Sequence, residues 1–369
     1  MSSSLSPMYA TSVPAGAAAA IASYGHHADV GGVLRRCREL VRPALVEAVG
    51  RLHPWTGEMA AYALGWRDAA GTPDPAASEG KGVRQALAVL GAEAVGADGG
   101  VAVAGAVAVE LVHTFSLMHD DIMDGDALRR QRPALWKAYG TGPAVLAGDA
   151  LHALAVQCLA EAPGPWSGDA VRRLCGTLNA LVCGQAEDLR FERRPWRGPG
   201  AVGVEQYRAM AEQKTGALLG CAVALGAVLG GAPAGTVAAL DRAGRHLGVA
   251  FQAVDDLLGI WGEPVVTGKP VHGDLRLRKK TYPVLAAVAG DGPAARELAV
   301  LLESPGPLDD AAVAHAAVLV EEAGGRAATR EEARRHLDAA RHGLRGFALV
   351  PGAAGDLDAL FASVLNRDW

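Results

Sequence analysis

Along most of the chain the apolar positions recur three and four residues apart, the spacing of one face of an α-helix. Ala, Leu, Arg and Glu fill these stretches, while alternating β-branched runs bounded by hairpin turns are nearly absent. The pattern predicts helices over roughly 31–51, 55–66, 82–96, 101–124, 131–139, 143–162, 167–190, 204–229, 234–261, 281–290, 293–303, 309–323, 329–346 and 354–365. Gly/Pro-rich connectors separate them, among them Gly71–Pro75, Pro195–Gly203 and Gly262–Gly273. No connector after residue 30 is long enough to demand a domain boundary, and no repeat of solenoid period occurs. The expectation is all-α: a large single-domain helical bundle over 31–369, preceded by a disordered Ser/Ala/Gly-rich leader over 1–30.

Composition narrows this. Half of the 369 residues are hydrophobic and 20% are charged, enough to bury a sizeable core and too apolar for disorder throughout. A net charge of -5 speaks against a nucleic-acid surface. Five cysteines without a CxxC pair read as buried small hydrophobes in a reducing compartment, so the chain is expected to be cytoplasmic. The leader has no charge before Asp29 and lacks the basic and apolar regions of a signal peptide. Thr215–Leu240 runs 26 residues without a charge, but six glycines and the Gly230-Gly231-Ala232-Pro233 break make it a buried helix pair rather than a membrane span.

The chemistry sits in two acidic groups. His113-Thr-Phe-Ser-Leu-Met-His-Asp120-Asp121-Ile-Met-Asp124 ends a long apolar helix. Asp120 and Asp124 lie one turn apart on one face, with Asp121 beside them. Three carboxylates this close repel one another unless a cation neutralises them, and acids at a helix C-terminus oppose its dipole. Oxygen ligands without His or Cys at metal spacing favour Mg²⁺ shared with substrate phosphates. The second group, Gln252-Ala-Val-Asp255-Asp256-Leu-Leu-Gly259, again presents one helical face. Two such groups suggest facing helices that hold metal between them.

The cations fit this picture. Of 35 Lys and Arg, only six are lysine, at 81, 137, 214, 269, 279 and 280. All but Lys137 fall near an acidic cluster, a turn or a helix start. Lysine offers phosphate a compact charge and arginine a bidentate clamp. Carboxylates, Mg²⁺ and phosphate-seeking cations together imply a polyphosphate substrate, and the lack of Walker and GxGxxG loops argues against a nucleotide.

In order, Gly80-Lys81-x-x-Arg84, His113 through Asp124, Arg129-Arg130, Leu146-Ala-Gly-Asp149, Gly184-Gln185-x-x-Asp188, Lys214-Thr215, Gln252 through Asp256, Thr267-Gly-Lys269 and Asp274…Lys279-Lys280 resemble the trans-isoprenyl diphosphate synthase (polyprenyl synthetase) family. The motifs cover about 78–290. The resemblance implies an isoprenoid-synthase bundle around an apolar cavity, acting as a homodimer. It implies head-to-tail condensation of isopentenyl diphosphate with an allylic diphosphate (dimethylallyl, geranyl or farnesyl). Asp120, Asp121, Asp124, Asp255 and Asp256 would hold Mg²⁺, three ions with substrate bound, with Mn²⁺ as a substitute. Arg129, Lys214, Thr215, Gln252, Lys269 and Lys279 would serve the allylic diphosphate, and Lys81, Arg84, His113 and Arg130 isopentenyl diphosphate. Phe115, five residues before Asp120, with small Ser116 beside it, looks like the floor of a short-chain synthase, favouring C20 geranylgeranyl over C15 farnesyl product.

Three positions depart from the family pattern: Gly259 in place of a third aspartate, Gln85 in place of a proline, and Glu79 in place of a glycine. Two rivals remain. A class I terpene cyclase ionises the same substrates, but usually carries an Asn/Asp-x-x-Ser/Thr-x-x-x-Glu motif where this chain has Asp255-Asp256. A non-catalytic regulatory subunit would be marked by lost aspartates, and the first cluster is complete.

Overall fold

The computed structural model describes residues 29–74, 80–263 and 271–365. In chain order come α1 (Val30–Gly50), α2 (Pro54–Ala63), α3 (Val83–Ala94) and α4 (Val103–Asp124), the last entered through a 3-10 turn at Gly99–Ala102. A small hairpin, β1 (Leu128–Arg129) and β2 (Arg132–Pro133), leads to α5 (Leu135–Tyr139), α6 (Thr141–Ala160) and α7 (Ser167–Glu192). Next are α8 (Val204–Ala211), a π-turn at Glu212–Gly216, α9 (Ala217–Leu229) and α10 (Ala234–Trp261). The remainder is α11 (Gly273–Arg276), α12 (Tyr282–Val288), α13 (Pro293–Glu303), α14 (Asp310–Glu322), α15 (Gly325–His342) and α16 (Pro351–Ala362).

The uncharged stretch forms the axis of this bundle. Every residue of α9 is buried, and the helix packs against α3, α4, α7 and α10. Its glycines are where backbones cross: a Cβ on Gly226 would stand 1.9 Å from the Ala88 carbonyl oxygen of α3. On the other side, one on Gly248 of α10 would stand 2.3 Å from Gly216 Cα. Neighbouring helices thus approach closer than side chains normally permit. Gly230–Pro233 separates α9 from α10, as the sequence suggests. Two other helical stretches, Gly99–Asp124 and Thr141–Ala160, are long and apolar enough to cross a membrane. The first is largely interior, whereas α6 turns Val145 and Leu146 outward, and Val182 of α7 is exposed as well.

Three expectations fail locally. The stretch 131–139 is helical only from Leu135, because Arg130 and Gln131 adopt φ of 50° and 63° and close a two-residue hairpin. Left-handed backbone at both loop positions is the hallmark of a type I′ turn, but Arg-Gln lacks the Asn-Gly signature that announces one. The span 204–229 is interrupted by the π-turn, and α15 begins at Gly325, four residues earlier than periodicity suggests. A Cβ at 325 would meet the Pro283 carbonyl oxygen at 2.2 Å, so the glycine serves a close approach to α12 and does not end a helix.

A second apolar cluster, built mainly from α12 to α14 with Phe191, Trp196, Tyr207 and Met210, adjoins the first. Glu332 of α15 ties it to the rest. It accepts hydrogen bonds from Arg208 (2.5 Å) and Arg335 (2.8 Å) and from the Tyr282 hydroxyl (3.2 Å), and pairs with His336 (3.1 Å). Burial raises its pKa, but the hydrogen bonds from His336, Arg208 and Arg335 outweigh that and hold the carboxyl well below its usual range. A depressed carboxylate stabilises the fold fully above its ordinary value of 4.5, and that contribution is lost as acidification protonates it. Glu332→Gln is expected to cost about 2 kcal/mol of unfolding free energy at pH 7. In urea titrations the gap between variant and parent should narrow steadily below pH 4.5. A gap independent of pH would contradict the charged role.

Candidate active site

The long apolar helix α4 delivers its carboxylates at its C-terminal end, where Gly125 (φ +70°) stops the helix. Asp121 is 2% exposed, and its carboxylate grips the Arg129 guanidinium through Nε (2.8 and 2.9 Å) and Nη2 (2.6 Å). The hairpin brings Arg129 back onto the helix it has just left. Asp124 receives the Lys279 ammonium at 2.8 Å. Asp120 faces a cleft of about 420 Å³ that Asp255 of α10 also lines. Burial, with Asp124 and Asp188 nearby, pushes the Asp120 carboxyl up to about 6 against Lys214 and Arg129.

Across the cleft, Lys214 and Thr215 lie in the π-turn between α8 and α9. Such a turn re-aims the chain within a continuous helical run. It presses on α7 at Gly184, where a Cβ would meet the Lys214 amide nitrogen at 2.4 Å. One turn further along α7, Asp188 accepts from Lys214 Nζ at 2.6 Å. Despite burial, Asp188 and Asp120 keep that lysine charged. Thr215 Oγ1 donates to Gln252 Oε1 at 2.7 Å.

Asp256, expected among the metal ligands, is held by protein partners in this structure. It is 2% exposed and is absent from the cleft lining, which Asp255 joins. The Tyr207 hydroxyl (2.6 Å), the Tyr282 backbone N–H (2.9 Å) and Gln252 Nε2 (3.0 Å) all donate to its carboxylate. Burial pushes this carboxyl up to about 7, although those three donors favour its ionised form. Asp121 is turned to Arg129 in a similar way. Gly259 has its own explanation, since a Cβ there would stand 1.9 Å from Asp274 Oδ2. The Asp274 carboxylate of α11 thus occupies the space beside this glycine.

The other end of the cleft is cationic. Lys81, Arg84 and Arg130 line it together with His113 and Ser116. Burial, with Arg84, Arg130 and Arg129 nearby, holds the His113 imidazole well below its ordinary pKa, so the ring is neutral and its Nε2 accepts from Arg84 Nη1 at 3.2 Å. Beneath them lies Glu110, 7% exposed, whose raised pKa reflects burial resisted by Arg84, Gln85, Arg130 and Arg38. Gln85, one of the departures, thus hydrogen-bonds this buried acid. Arg38 of α1 also donates to the Gly80 carbonyl at 2.7 Å. Neither Glu110 nor Arg38 was singled out from sequence; the one signal was an acid interrupting the apolar run of α4. Lys269 and Glu79 lie outside the described residues. Lys280 is no part of the cleft lining, and its ammonium sits 4.1 Å from the Trp196 ring centre.

Two aspartate-bearing helices and two cationic ends around one cleft narrow the possible relatives. A polyprenyl synthetase family profile matches residues 74–320. The chain belongs to the polyprenyl synthetase family. This makes it a prenyltransferase. It is 46% identical to a (2E,6E)-farnesyl diphosphate synthase of Mycobacterium tuberculosis over 83% of this chain and 84% of that one. It is 44% identical to a geranylgeranyl diphosphate synthase of the same species, over 92% and 95%. The structure of a polyprenyl synthetase from Streptomyces coelicolor A3(2) superposes with a TM-score of 0.85 at 46% identity, covering 91% of this chain and 99% of that one.

The side chains of this polyprenyl synthetase suit a hard divalent cation. Asp120 holds its proton up to about 6 because burial and the neighbouring Asp124 and Asp188 disfavour its charge, and a cation would relieve this. Phe115, 8% exposed, stacks on His152 of α6 (5.2 Å, 17°) and meets His119 edge-on (5.8 Å, 72°). Its ring is therefore held from two sides one turn before Asp120. Ser116 Oγ donates to the His113 carbonyl at 2.9 Å.

Metal affinity follows from the sign of the Asp120 shift. A raised carboxyl pKa means a proton competes with the metal below about 6 and is gone above it. Calorimetric titration with Mn²⁺ should show affinity nearly constant from pH 7 to 8 and falling by up to about tenfold per pH unit below 6, one proton being displaced. Asp120→Asn should weaken binding and flatten this dependence. Affinity in the parent protein that ignores pH between 5 and 7 would refute it.

Proposed function

We propose that the chain condenses isopentenyl diphosphate with an allylic diphosphate, head to tail, to give a short-chain all-trans prenyl diphosphate. The observation that carries this reading is the single cleft lined at once by Asp120, Asp255 and Lys214 and by Lys81, Arg84, His113 and Arg130. The first group suits a diphosphate that must leave, the second one that must stay. A cyclase has no use for the second group, and the complete acidic cluster argues against a non-catalytic subunit.

Arg129, Lys214 and Lys279 are positioned to bind the allylic diphosphate, with Lys269 assigned to the same task from the sequence resemblance. Mg²⁺, when held by Asp120, Asp124 and Asp255, supplies charge stabilisation to the departing diphosphate. As the carbon–oxygen bond breaks, the lysine ammoniums and the Arg129 guanidinium stabilise the oxygen that gains charge. The hydroxyl oxygen of Thr215 and the Gln252 amide offer dipoles to the allylic cation. Leu181, Leu218 and Phe251 line the same cleft and exclude water that would otherwise capture it. Lys81, Arg84 and Arg130 hold isopentenyl diphosphate, and neutral His113 accepts from Arg84 so that its guanidinium keeps one orientation. The isopentenyl double bond attacks the cation, and the released diphosphate is the base that removes the final proton.

Phe115, fixed by His152 and His119, is assigned as the floor of the elongation pocket. Product of C20 is favoured over C15. With radiolabelled isopentenyl diphosphate and C5, C10 or C15 primers in Mg²⁺, elongation should stop mainly at C20. Asp120→Ala and Asp255→Ala should each lower turnover at least a thousandfold while helical circular dichroism is unchanged. Absence of elongation with every primer would refute the function.

A homodimer is part of this reading. Leu146 (52% exposed) and Val145 of α6 and Val182 (61%) of α7 are outward apolar side chains on two helices that pack together and also carry His152 and Asp188. Exposed apolar surface of this kind marks interaction sites. Light scattering should give a dimer mass for the parent and a monomer for Leu146→Glu/Val182→Glu. A monomeric parent at micromolar concentration would remove this part of the reading.

A further inference from the structure

The polar chain that begins at Thr215 does not end at Gln252. Thr215 Oγ1 donates to Gln252 Oε1 (2.7 Å), and Gln252 Nε2 donates to Asp256 Oδ1 (3.0 Å). Asp256 Oδ2 in turn accepts from the Tyr207 hydroxyl (2.6 Å) and the Tyr282 N–H (2.9 Å). Tyr207 and Asp256 are buried, at 4% and 2% exposure, so neither side chain has an easy alternative partner. In its ionised form, which the Tyr207 hydroxyl, the Gln252 amide and the Tyr282 N–H favour, Asp256 only accepts, so the amide nitrogen of Gln252 faces Asp256 and its oxygen faces Thr215. The amide oxygen also only accepts, so Thr215 must donate its single hydroxyl hydrogen there. Its lone pairs are then left to the cleft that Thr215 lines.

We propose that Tyr207 is a positioning residue for prenyl transfer: through Asp256 and Gln252 it fixes which way the Thr215 hydroxyl dipole points, with the negative end toward the developing allylic cation. This rests on the reaction assigned above. Tyr207 is not among the residues that line the cleft, and its ring packs edge-on against Tyr282 at 6.0 Å. Its site is doubly braced, since the neighbouring Arg208 and the hydroxyl of Tyr282 both bind Glu332. Without the tyrosine hydroxyl, the Asp256 carboxylate can rotate, the Gln252 amide can flip, and the Thr215 hydrogen can turn into the cleft. A dipole aimed at a charge that exists only during reaction lowers kcat when it is lost and leaves substrate binding nearly intact.

The test is Tyr207→Phe, which deletes one oxygen and keeps the ring. The expected result is a fall in kcat of roughly ten- to a hundredfold, less than the roughly hundred- to thousandfold cost of deleting a preorganised donor outright, because here the dipole is loosened and not removed. KM for both diphosphates should change less than threefold. A merely structural role predicts otherwise, so the same substitution is also made in a Thr215→Val background, where no hydroxyl remains to orient. There Tyr207→Phe should cost little further kcat, because both changes act on one dipole. Unchanged kcat in Tyr207→Phe, a loss carried by KM, or losses that multiply in the double variant would each overturn the proposal. If the parent chain fails to elongate any primer, the assigned reaction fails instead, and the two failures are distinct.

Discussion

The structure is organised around the cost of gathering acids at the edge of a dry core. Asp120, Asp121, Asp124, Asp188, Asp255 and Asp256 come from three helices that all border the apolar interior. Unit charges about 4 Å apart interact at roughly 4 kcal/mol in a partly buried setting, too much to leave unbalanced. The protein answers carboxylate by carboxylate. Arg129 is bound to Asp121, Lys279 to Asp124 and Lys214 to Asp188, while Asp120 holds its proton more tightly than usual. The same cations are the natural ligands of a diphosphate. On the proposed function, a site for divalent metal and polyphosphate thereby stays charge-matched among its own side chains.

That arrangement demands a rigid scaffold, and the glycine crossings supply it. Because α3, α9 and α10 approach to backbone contact, the helices that carry Arg84 and Asp255, and the turn that leads Thr215 into α9, have little freedom to shift. The π-turn is a place where this regular helical run is broken, and it holds Lys214 and Thr215. The hairpin is another local exception, with two non-glycine residues in left-handed backbone. Strain of this kind persists only where surrounding contacts fix it; here the Arg129–Asp121 pair anchors one strand, and Arg132 stacks on Tyr62 at 4.2 Å from the other.

Much of this was legible in the sequence. Helical periodicity located most of the helices to within a few residues, because long apolar stripes report packing directly. The site residues could be assembled because their chemistry is unusual: acids at a helix C-terminus, and lysines in a chain that otherwise uses arginine. What escaped was set by tertiary contact. No local rule marks Arg130-Gln131 as a hairpin loop, and Gly325 looks like a terminator until the approach to Pro283 is seen. Glu110 could be noticed in an apolar run, but its duty to Arg84 and Arg130 depends on α3 and the hairpin arriving over it.

The two acidic pairs show the limit of spacing arguments most clearly. Adjacent residues on a helix point about 100° apart, so the partners in Asp120-Asp121 and Asp255-Asp256 cannot share one direction. One of each pair turns to the cleft and the other into protein. Which one turns inward is decided by what waits there: Arg129 for Asp121, Tyr207 and the Tyr282 N–H for Asp256. Asp121 is satisfied by a full charge and Asp256 by neutral donors, which is why burial still raises the second so far. The inward carboxylates do a different job from their neighbours. They hold the outward groups, Arg129 and Gln252, in single orientations, so the duplicated aspartate serves geometry as much as charge.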